Sequence, residues 1–315
     1  MVKKVLLASP RGYCAGVERA VETVERALAL YSKPVYVRKQ IVHNSHVVRE
    51  LEERGAIFVD SVEEVPKGAP VVFSAHGVAP AVREAAEARD LTSIDATCPL
   101  VTKVHTQARR FAQRGYTVVL IGHAGHEEVE GTTGEAPDAI VLVESIADAE
   151  AISLPDYTPL GYITQTTLSV DETREIVDVL RRRFPRIEGP AKEDICYATS
   201  NRQWAVKEML DEIELLLVVG SPNSSNSVRL VDVANAAGVR AYLVDDAAQI
   251  DEAWIEGVSV VGVTSGASAP ERLVNGVCDW FRVRGVDDIS AFSSAFEDVV
   301  FRLPVELRRA ERSAA

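Results

Sequence analysis

Apolar residues follow two periods along this chain. Short, largely apolar runs such as Val5-Leu6-Leu7-Ala8, Thr117–Ile121 and Leu215–Val219 read as strands. Between such runs the apolar positions recur at helical spacing. Val17, Val21, Val24, Leu28 and Tyr31 fall on one face of a helix through AGVERAVETVERALALY. Strand and helix alternate over most of the chain, which predicts an α/β protein with parallel sheets. Pro and Gly are scattered as turn punctuation, and no low-complexity linker interrupts the pattern.

The pattern repeats three times. Each segment reads cysteine, helix, strand, polar loop, helix, strand, acidic stretch, strand, second polar loop, helix. In the first, Cys14 precedes the helix, strand Pro34–Val37 ends near His43-Asn44, and strands Ala56–Val59 and Val71–Phe73 follow, the latter entering Ser74-Ala75-His76-Gly77. In the second, Cys98-Pro99 opens LVTKVHTQARRFAQ, Thr117–Ile121 enters GHAGHEEVEG, and Gly161–Ile163 enters Thr164-Gln165-Thr166-Thr167. In the third, Cys196 precedes NRQWAVKEMLDEI, Leu215–Val219 enters GSPNSSNS, and Val258–Val263 enters TSGASAPE. The spacing from cysteine to first loop is 29 (Cys14 to His43), 28 (Cys98 to His126) and 29 (Cys196 to Ser225). To the second loop it is 62 (His76), 68 (Thr166) and 72 (Ser268), a drift that loop insertions produce. The expected domains are 1–97, 98–195 and 196–282, with a C-terminal tail at 283–315. Ligands bind beyond the carboxyl ends of parallel strands. Three small α/β units can therefore each offer one cysteine and two polar loops to a common centre.

Composition narrows the chemistry. The 315 residues leave room for two or three domains, and the net charge of −13 argues against non-specific nucleic-acid binding. A small anion remains admissible if neutral donors hold it. The four cysteines form no CxxC pair, so a zinc ribbon or thioredoxin motif is out; cysteines this far apart point to metal, catalysis or burial. No apolar run approaches the roughly 20 residues a membrane helix needs. The chain opens on a strand-like run with no secretory h-region, and a cytoplasmic location is expected.

Cys98 reads as a helix N-cap with Pro99 at the first helical position. Cys14 also lies just before a helix, whose positive end favours the thiolate. Cys196 is expected several residues ahead of its helix, where that effect is weaker. Cys278 falls on an apolar helical face with Val274, Val277 and Phe281, as a core residue would. Three thiolates leave one iron of a 4Fe–4S cluster open to substrate, as Lewis acid and electron source. Zinc held by three cysteines and a histidine is the competing site. Beside Cys98 in the repeat stands His126-Glu127-Glu128-Val129-Glu130, framed by glycines, where one glutamate can relay protons. Ser224, Ser225 and Asn226 precede a helix expected near Val228, and Ser268 lies in a second such loop. Hydroxyl and amide donors there suit a phosphate or diphosphate, with His43 and His76 in matching positions. With no Walker A or GxGxxG element, ATP or a dinucleotide is not expected. His46, His105 and His123 read as structural.

Together SPRGYCAGVERA, IVHN, FSAHGV, DATCPLVTKVH, GHAGHEEVEGT, ITQTTLSV, ICYATSNRQ, NSSNS and TSGASAPE resemble the LytB/IspH family, from about Ser9 to Phe281, and the tail RLPVELR is also similar. These are the 4-hydroxy-3-methylbut-2-enyl diphosphate reductases of the non-mevalonate isoprenoid pathway. The resemblance implies a pseudo-threefold trefoil of three α/β domains around one 4Fe–4S cluster, with Cys14, Cys98 and Cys196 as its ligands. It implies a two-electron reductive dehydroxylation giving isopentenyl and dimethylallyl diphosphate, with ferredoxin or flavodoxin as electron donor. Glu128 matches the family's acid and Thr166 its partner hydroxyl, while His126 serves the proton path and the diphosphate. His43, His76, Ser224, Ser225, Asn226 and Ser268 match diphosphate binders; Thr167 and Thr199 border the pocket. The chain departs from the family pattern at Glu127, where proline is usual, at Ser200 in place of threonine, and at Ser45-His46. A non-redox iron–sulfur dehydratase, a cluster-based sensor and a zinc-stabilised structural protein are the other readings.

Overall fold

A computed structural model describes residues 2–31, 34–154 and 159–314. Along the chain, β1 (Lys4–Ser9), α1 (Ala15–Leu30), β2 (Val35–Arg38), α2 (Ser45–Glu53), β3 (Ala56–Val59), β4 (Pro70–Phe73), α3 (Pro80–Ala88) and β5 (Thr92–Asp95) come first. Then follow α4 (Pro99–Gln113), β6 (Thr117–Ile121), α5 (Glu127–Thr133), β7 (Ile140–Val143), α6 (Ile146–Ala151), β8 (Leu160–Thr164) and α7 (Val170–Arg183). The last third holds α8 (Tyr197–Met209), β9 (Leu215–Val219), α9 (Ser225–Ala236), β10 (Arg240–Val244), β11 (Val260–Ser265), α10 (Glu271–Val283), β12 (Asp288–Ser293) and α11 (Val305–Ala314).

Among the described residues the strands form three sheets in which every pairing is parallel, with orders β3-β2-β4-β5, β7-β6-β8 and β10-β9-β11-β1-β12. All three contain the same three-strand element: a central strand followed in the chain by its outer neighbour, then by the strand on its other side. A further segment pairs beyond that last strand and leads to a cysteine. It is β5 before Cys98, the single bridge Gly161–Glu188 before Cys196, and β1 before Cys14. The first strand of the chain therefore completes the sheet of its last third. Pairing thus puts residues 4–9 with the third segment rather than with 1–97, and β12 brings part of the expected tail into the same sheet.

Two compact units emerge from the contacts: Met1–Glu18, Val42–Glu50 and Tyr197–Val300 make one, and Arg19–Ile41, Leu51–Cys196 and Phe301–Ala315 the other. In the first, alternate residues of β9 face two layers. Leu215, Leu217 and Val219 pack with Leu273, Val274, Val277 and Phe281 of α10. Leu216 and Val218 pack with Val206 and Met209 of α8 and Leu230 of α9. The second unit repeats this in its three-stranded sheet, where Val119 and Ile121 meet α7, and Val118 and Leu120 meet α4. Burial on both faces explains the unbroken apolar runs. Truncating one such leucine to alanine costs roughly 2–5 kcal/mol, enough to threaten a domain but also to hold its loops in place. No helix among the described residues is long and apolar enough to cross a membrane.

Candidate functional site

Each of the three cysteines stands directly before a helix: Cys14 before α1, Cys98 as the N-cap of α4 with Pro99 behind it, and Cys196 before α8. The expected gap after Cys196 is absent. Helix α8 starts at Tyr197, and its first turns bury Ala198 and Thr199 although their polar neighbours show no helical period. All three thiols are half-buried. Their backbones are held in one manner. Cys14 N–H donates to Ala267 O at 3.1 Å, Cys98 N–H to Ala75 O at 2.9 Å, and Cys196 N–H to Thr166 O at 3.1 Å. Each acceptor belongs to the second polar loop of the preceding segment, taken cyclically. The structural equivalents are therefore His76, Thr167 and Ser268, one residue on from the acceptors. Cys278 lies apart, 1% exposed within α10, where burial raises the thiol pKa.

His76, His126, Glu127 and Glu128 belong to the second unit. Helix α5 begins after N-cap His126, whose Nδ1 accepts the Glu128 N–H at 3.1 Å. Of the glutamates there, Glu130 is exposed, Glu127 half-buried, and Glu128 only 2% exposed. The Glu128 carboxylate accepts the Thr166 N–H at 2.6 Å and the Thr166 hydroxyl at 3.0 Å. Burial nevertheless pushes its pKa up to about 7, because desolvation outweighs these bonds and the charge of Asp194 adds to it. Thr166 thus joins the acid to Cys196: its amide and hydroxyl hold the carboxylate while its carbonyl holds the cysteine. His76 Nδ1 lies 3.3 Å from Glu127 Oε2 and its ring stands edge-on to His126 at 5.8 Å. Burial lowers the His76 pKa to about 4, so near pH 7 the ring is neutral and that contact is no ion pair. Gly77 supports this loop at φ +84°, and a Cβ there would come within 2.9 Å of His105 Cε1. His105 is itself held at 2.8 Å by Glu135, the structural role expected of it.

Thr199, Ser224, Ser225, Asn226 and Ser268 belong to the first unit. Helix α9 begins at Ser225 with Ser224 as N-cap, so Ser225 and Asn226 occupy its first turn instead of a loop before Val228. Ser224 Oγ accepts the Ser227 N–H at 3.3 Å and its hydroxyl at 2.9 Å. Asn226 Oδ1 accepts the Ala267 N–H at 2.9 Å, and its Nδ2 donates to Thr199 Oγ1 at 3.2 Å. One amide thereby ties α9 to α8 and to the loop that holds Cys14. Ser268 Oγ donates to His43 O at 2.9 Å, fixing the segment before α2. Gly266 cannot be replaced without overlap, since a Cβ would run into Ser227 Oγ.

Several supporting residues carry no sequence signal. Asp194, 4% exposed, accepts Thr164 N–H at 3.1 Å and binds Lys103 at 3.0 Å, setting the strand end before Thr166. Gln165 accepts His123 N–H at 3.1 Å and donates to Thr167 Oγ1 at 2.9 Å. Arg202 is fully buried, donating to Gly12 O and Ala198 O, each at 2.9 Å, and pairing with Glu297 at 3.1 Å. His46 Nε2 meets Asp246 at 2.9 Å. A charged residue inside an α/β core looks like a surface residue until its partners, distant in sequence, are known.

Parallel α/β sheets with a cysteine loop repeated three times define a recognisable class. Residues 5–282 match the model of the LytB protein family, and the chain belongs to that family. It is similar to the 4-hydroxy-3-methylbut-2-enyl diphosphate reductase of Acidothermus cellulolyticus, with 61% identity over 308 residues, covering 98% of this chain and 91% of that protein. The reductase of the same name from Nocardia farcinica is 59% identical over 311 residues, covering 98% and 93%. Among solved structures, the E-1-hydroxy-2-methyl-but-2-enyl-4-diphosphate reductase from Plasmodium falciparum superposes with a TM-score of 0.97 at 39% identity, covering 100% of this chain and 99% of that one.

Proposed function

We propose that this protein is a 4-hydroxy-3-methylbut-2-enyl diphosphate reductase, forming isopentenyl and dimethylallyl diphosphate in the last step of the non-mevalonate pathway. The relatives' names support the reaction, and the buried Glu128–Thr166 pair is the observation that carries it to this chain. The reaction consumes two electrons and two protons: the allylic carbon–oxygen bond breaks, the hydroxyl leaves as water with one proton, and a new carbon–hydrogen bond takes the other.

Cys14, Cys98 and Cys196 would hold one 4Fe–4S cluster. The donor set fits: three half-buried thiols, each at the positive end of a helix that favours the thiolate, each with its backbone fixed by a loop carbonyl. When bound, the cluster supplies electrons and an iron without a protein thiolate, which acts as Lewis acid toward the hydroxyl. The protein's own groups do the rest. Glu128, with a pKa of about 7, is protonated in part of the population at neutral pH and can donate to the departing hydroxyl. Thr166 keeps that carboxyl aimed and offers its own hydroxyl to the substrate alcohol. His126 serves the proton path and the diphosphate. His43, His76, Ser224, Ser225, Asn226 and Ser268 bind the diphosphate, with Thr167 and Thr199 along the pocket wall. The three sheets belong to three domains in a trefoil, the enzyme works in the cytoplasm, and a ferredoxin or flavodoxin supplies its electrons.

The test is anaerobic turnover of the hydroxylated allylic diphosphate with reduced methyl viologen, alongside iron and sulfide analysis. Cluster-replete protein should consume substrate and release both isomers, and Cys98→Ala should lose the cluster absorbance that Cys278→Ala keeps. Unconsumed substrate with the cluster intact would overturn the reading. Turnover without any reductant would instead favour the non-redox dehydratase.

A further inference from the structure

The 31 residues from Ala96 to His126 contain no aspartate or glutamate, although the chain has 47 in 315 residues. The same stretch carries Lys103, Arg109, Arg110 and Arg114, and helix α4 lies within it. The outer face of α4 lines an open groove of about 750 Å³ together with Glu188, Gly189, Ala191 and Lys192. Two of its cations are neutralised: Lys103 by Asp194 at 3.0 Å, and Arg114 by Glu188 at 3.3 Å. Arg110 and Lys192 are exposed and have no ion-pair partner among the described residues. Both walls lead to cysteines. Pro99, at one end of the groove, follows Cys98 directly, and the segment with Lys192 runs into Cys196. Lys103 pins the walls together through Lys192 O and Glu193 O, each at 2.8 Å.

We propose that this basic groove is the docking face for an acidic electron-carrier protein, which delivers electrons toward Cys98 and Cys196. The inference rests on the proposed function, since the reduction needs two electrons that the chain does not hold. An excess of positive charge, local to one face of a strongly acidic protein, attracts an acidic partner to that face and repels it elsewhere. Each docking event with a one-electron carrier oxidises one carrier centre and passes its electron to the protein, so two events serve one turnover.

A small acidic ferredoxin is the probe. Arg110→Glu/Lys192→Glu in the cluster-replete protein should weaken calorimetric binding of oxidised ferredoxin at least tenfold at low salt and flatten the salt dependence of its affinity. KM for reduced ferredoxin should rise by a similar factor, while turnover driven by methyl viologen stays unchanged. Arg110→Gln/Lys192→Gln should fall between. Arg182→Glu, on helix α7, serves as control and should leave ferredoxin affinity as it was. Unaltered ferredoxin affinity in the charge-reversed protein, or an equal loss in the α7 control, would overturn the proposal. Failure of the wild type with viologen would count against the proposed function instead.

Discussion

Helices α5 and α9 occupy the same place in their repeats and do opposite things. Each follows the central strand of the three-strand element in its sheet, and each is capped by its own N-cap side chain, His126 in one and Ser224 in the other. The first turn of α5 holds Glu127, Glu128 and Glu130; that of α9 holds Ser225, Asn226 and Ser227. In α5 burial holds a carboxyl near its neutral form, with a pKa of about 7. The first turn of α9 carries no titratable side chain, and its hydroxyls and amide keep the same hydrogen-bonding character across the working pH range. The backbone thus offers one kind of position, and side chains divide the labour. One copy stores a proton, and the other presents neutral donors suited to a multiply charged anion.

The largest effect should come from disabling the proton store. Glu128→Gln keeps the shape and an oxygen for the Thr166 N–H, so the fold and cluster should persist while kcat falls about 10²–10⁴-fold. Anaerobic kinetics on protein with matched iron content would measure this, and retention of full kcat would break the contrast between the helices.

A thermodynamic test comes next. The folded Glu128 has its pKa raised above the ordinary 4.5, so the native state binds more protons than the unfolded one between pH 4.5 and about 7. Stability from this group is therefore present at low pH and is lost as pH rises through 7, by about 3 kcal/mol in all. Relative to wild type, Glu128→Gln should gain stability between pH 5 and pH 8 in denaturant titrations. His76 has the opposite sign: its pKa, lowered to about 4, makes stability rise with pH between 4 and 6.5. Variants of α9 should keep the wild-type pH dependence.

The smallest effect belongs to α9. Asn226→Ala removes the bridge from Thr199 to the Ala267 amide and should raise the substrate KM about tenfold, as expected for loss of a hydrogen bond that orders the proposed diphosphate site. Its kcat should change less than that of Glu128→Gln. A loss confined to kcat would mean that α9 also serves the chemistry.

Much of this contrast was legible in the chain. Thr117–Ile121 and Leu215–Val219 coincide with β6 and β9, because turn residues bound apolar runs that bury both faces, and Ala56–Val59 coincides with β3, an edge strand that leaves Ile57 exposed. Cys98-Pro99 announced its own N-cap. Two helix starts were obscured, for related reasons. Helix α8 buries Thr199, Arg202 and Gln203, and α9 buries Asn226 and Ser227, so polar residues inside the protein erased the apolar period. The glycine frame of the acidic run in α5 marks it as a candidate for proton relay, but only the helical turn separates exposed Glu130 from buried Glu128. Asp194 and Arg202 stayed hidden because their worth depends on partners that the fold, not the sequence order, brings near.

Strand β1 carries a consequence for the birth of the protein. Its Lys4 pairs with Val260 and its Leu7 with Val263, across some 256 residues of chain. The sheets built on β2 and β6 can close as soon as their short connections have been synthesised. The strand made first must instead wait, with its ladder groups unpaired, until β11 and β9 have left the ribosome. Parallel pairing at such separation is slow, and an unpaired apolar strand invites association with other chains. The last third of the molecule is thus the part whose assembly is most exposed to misassociation during synthesis.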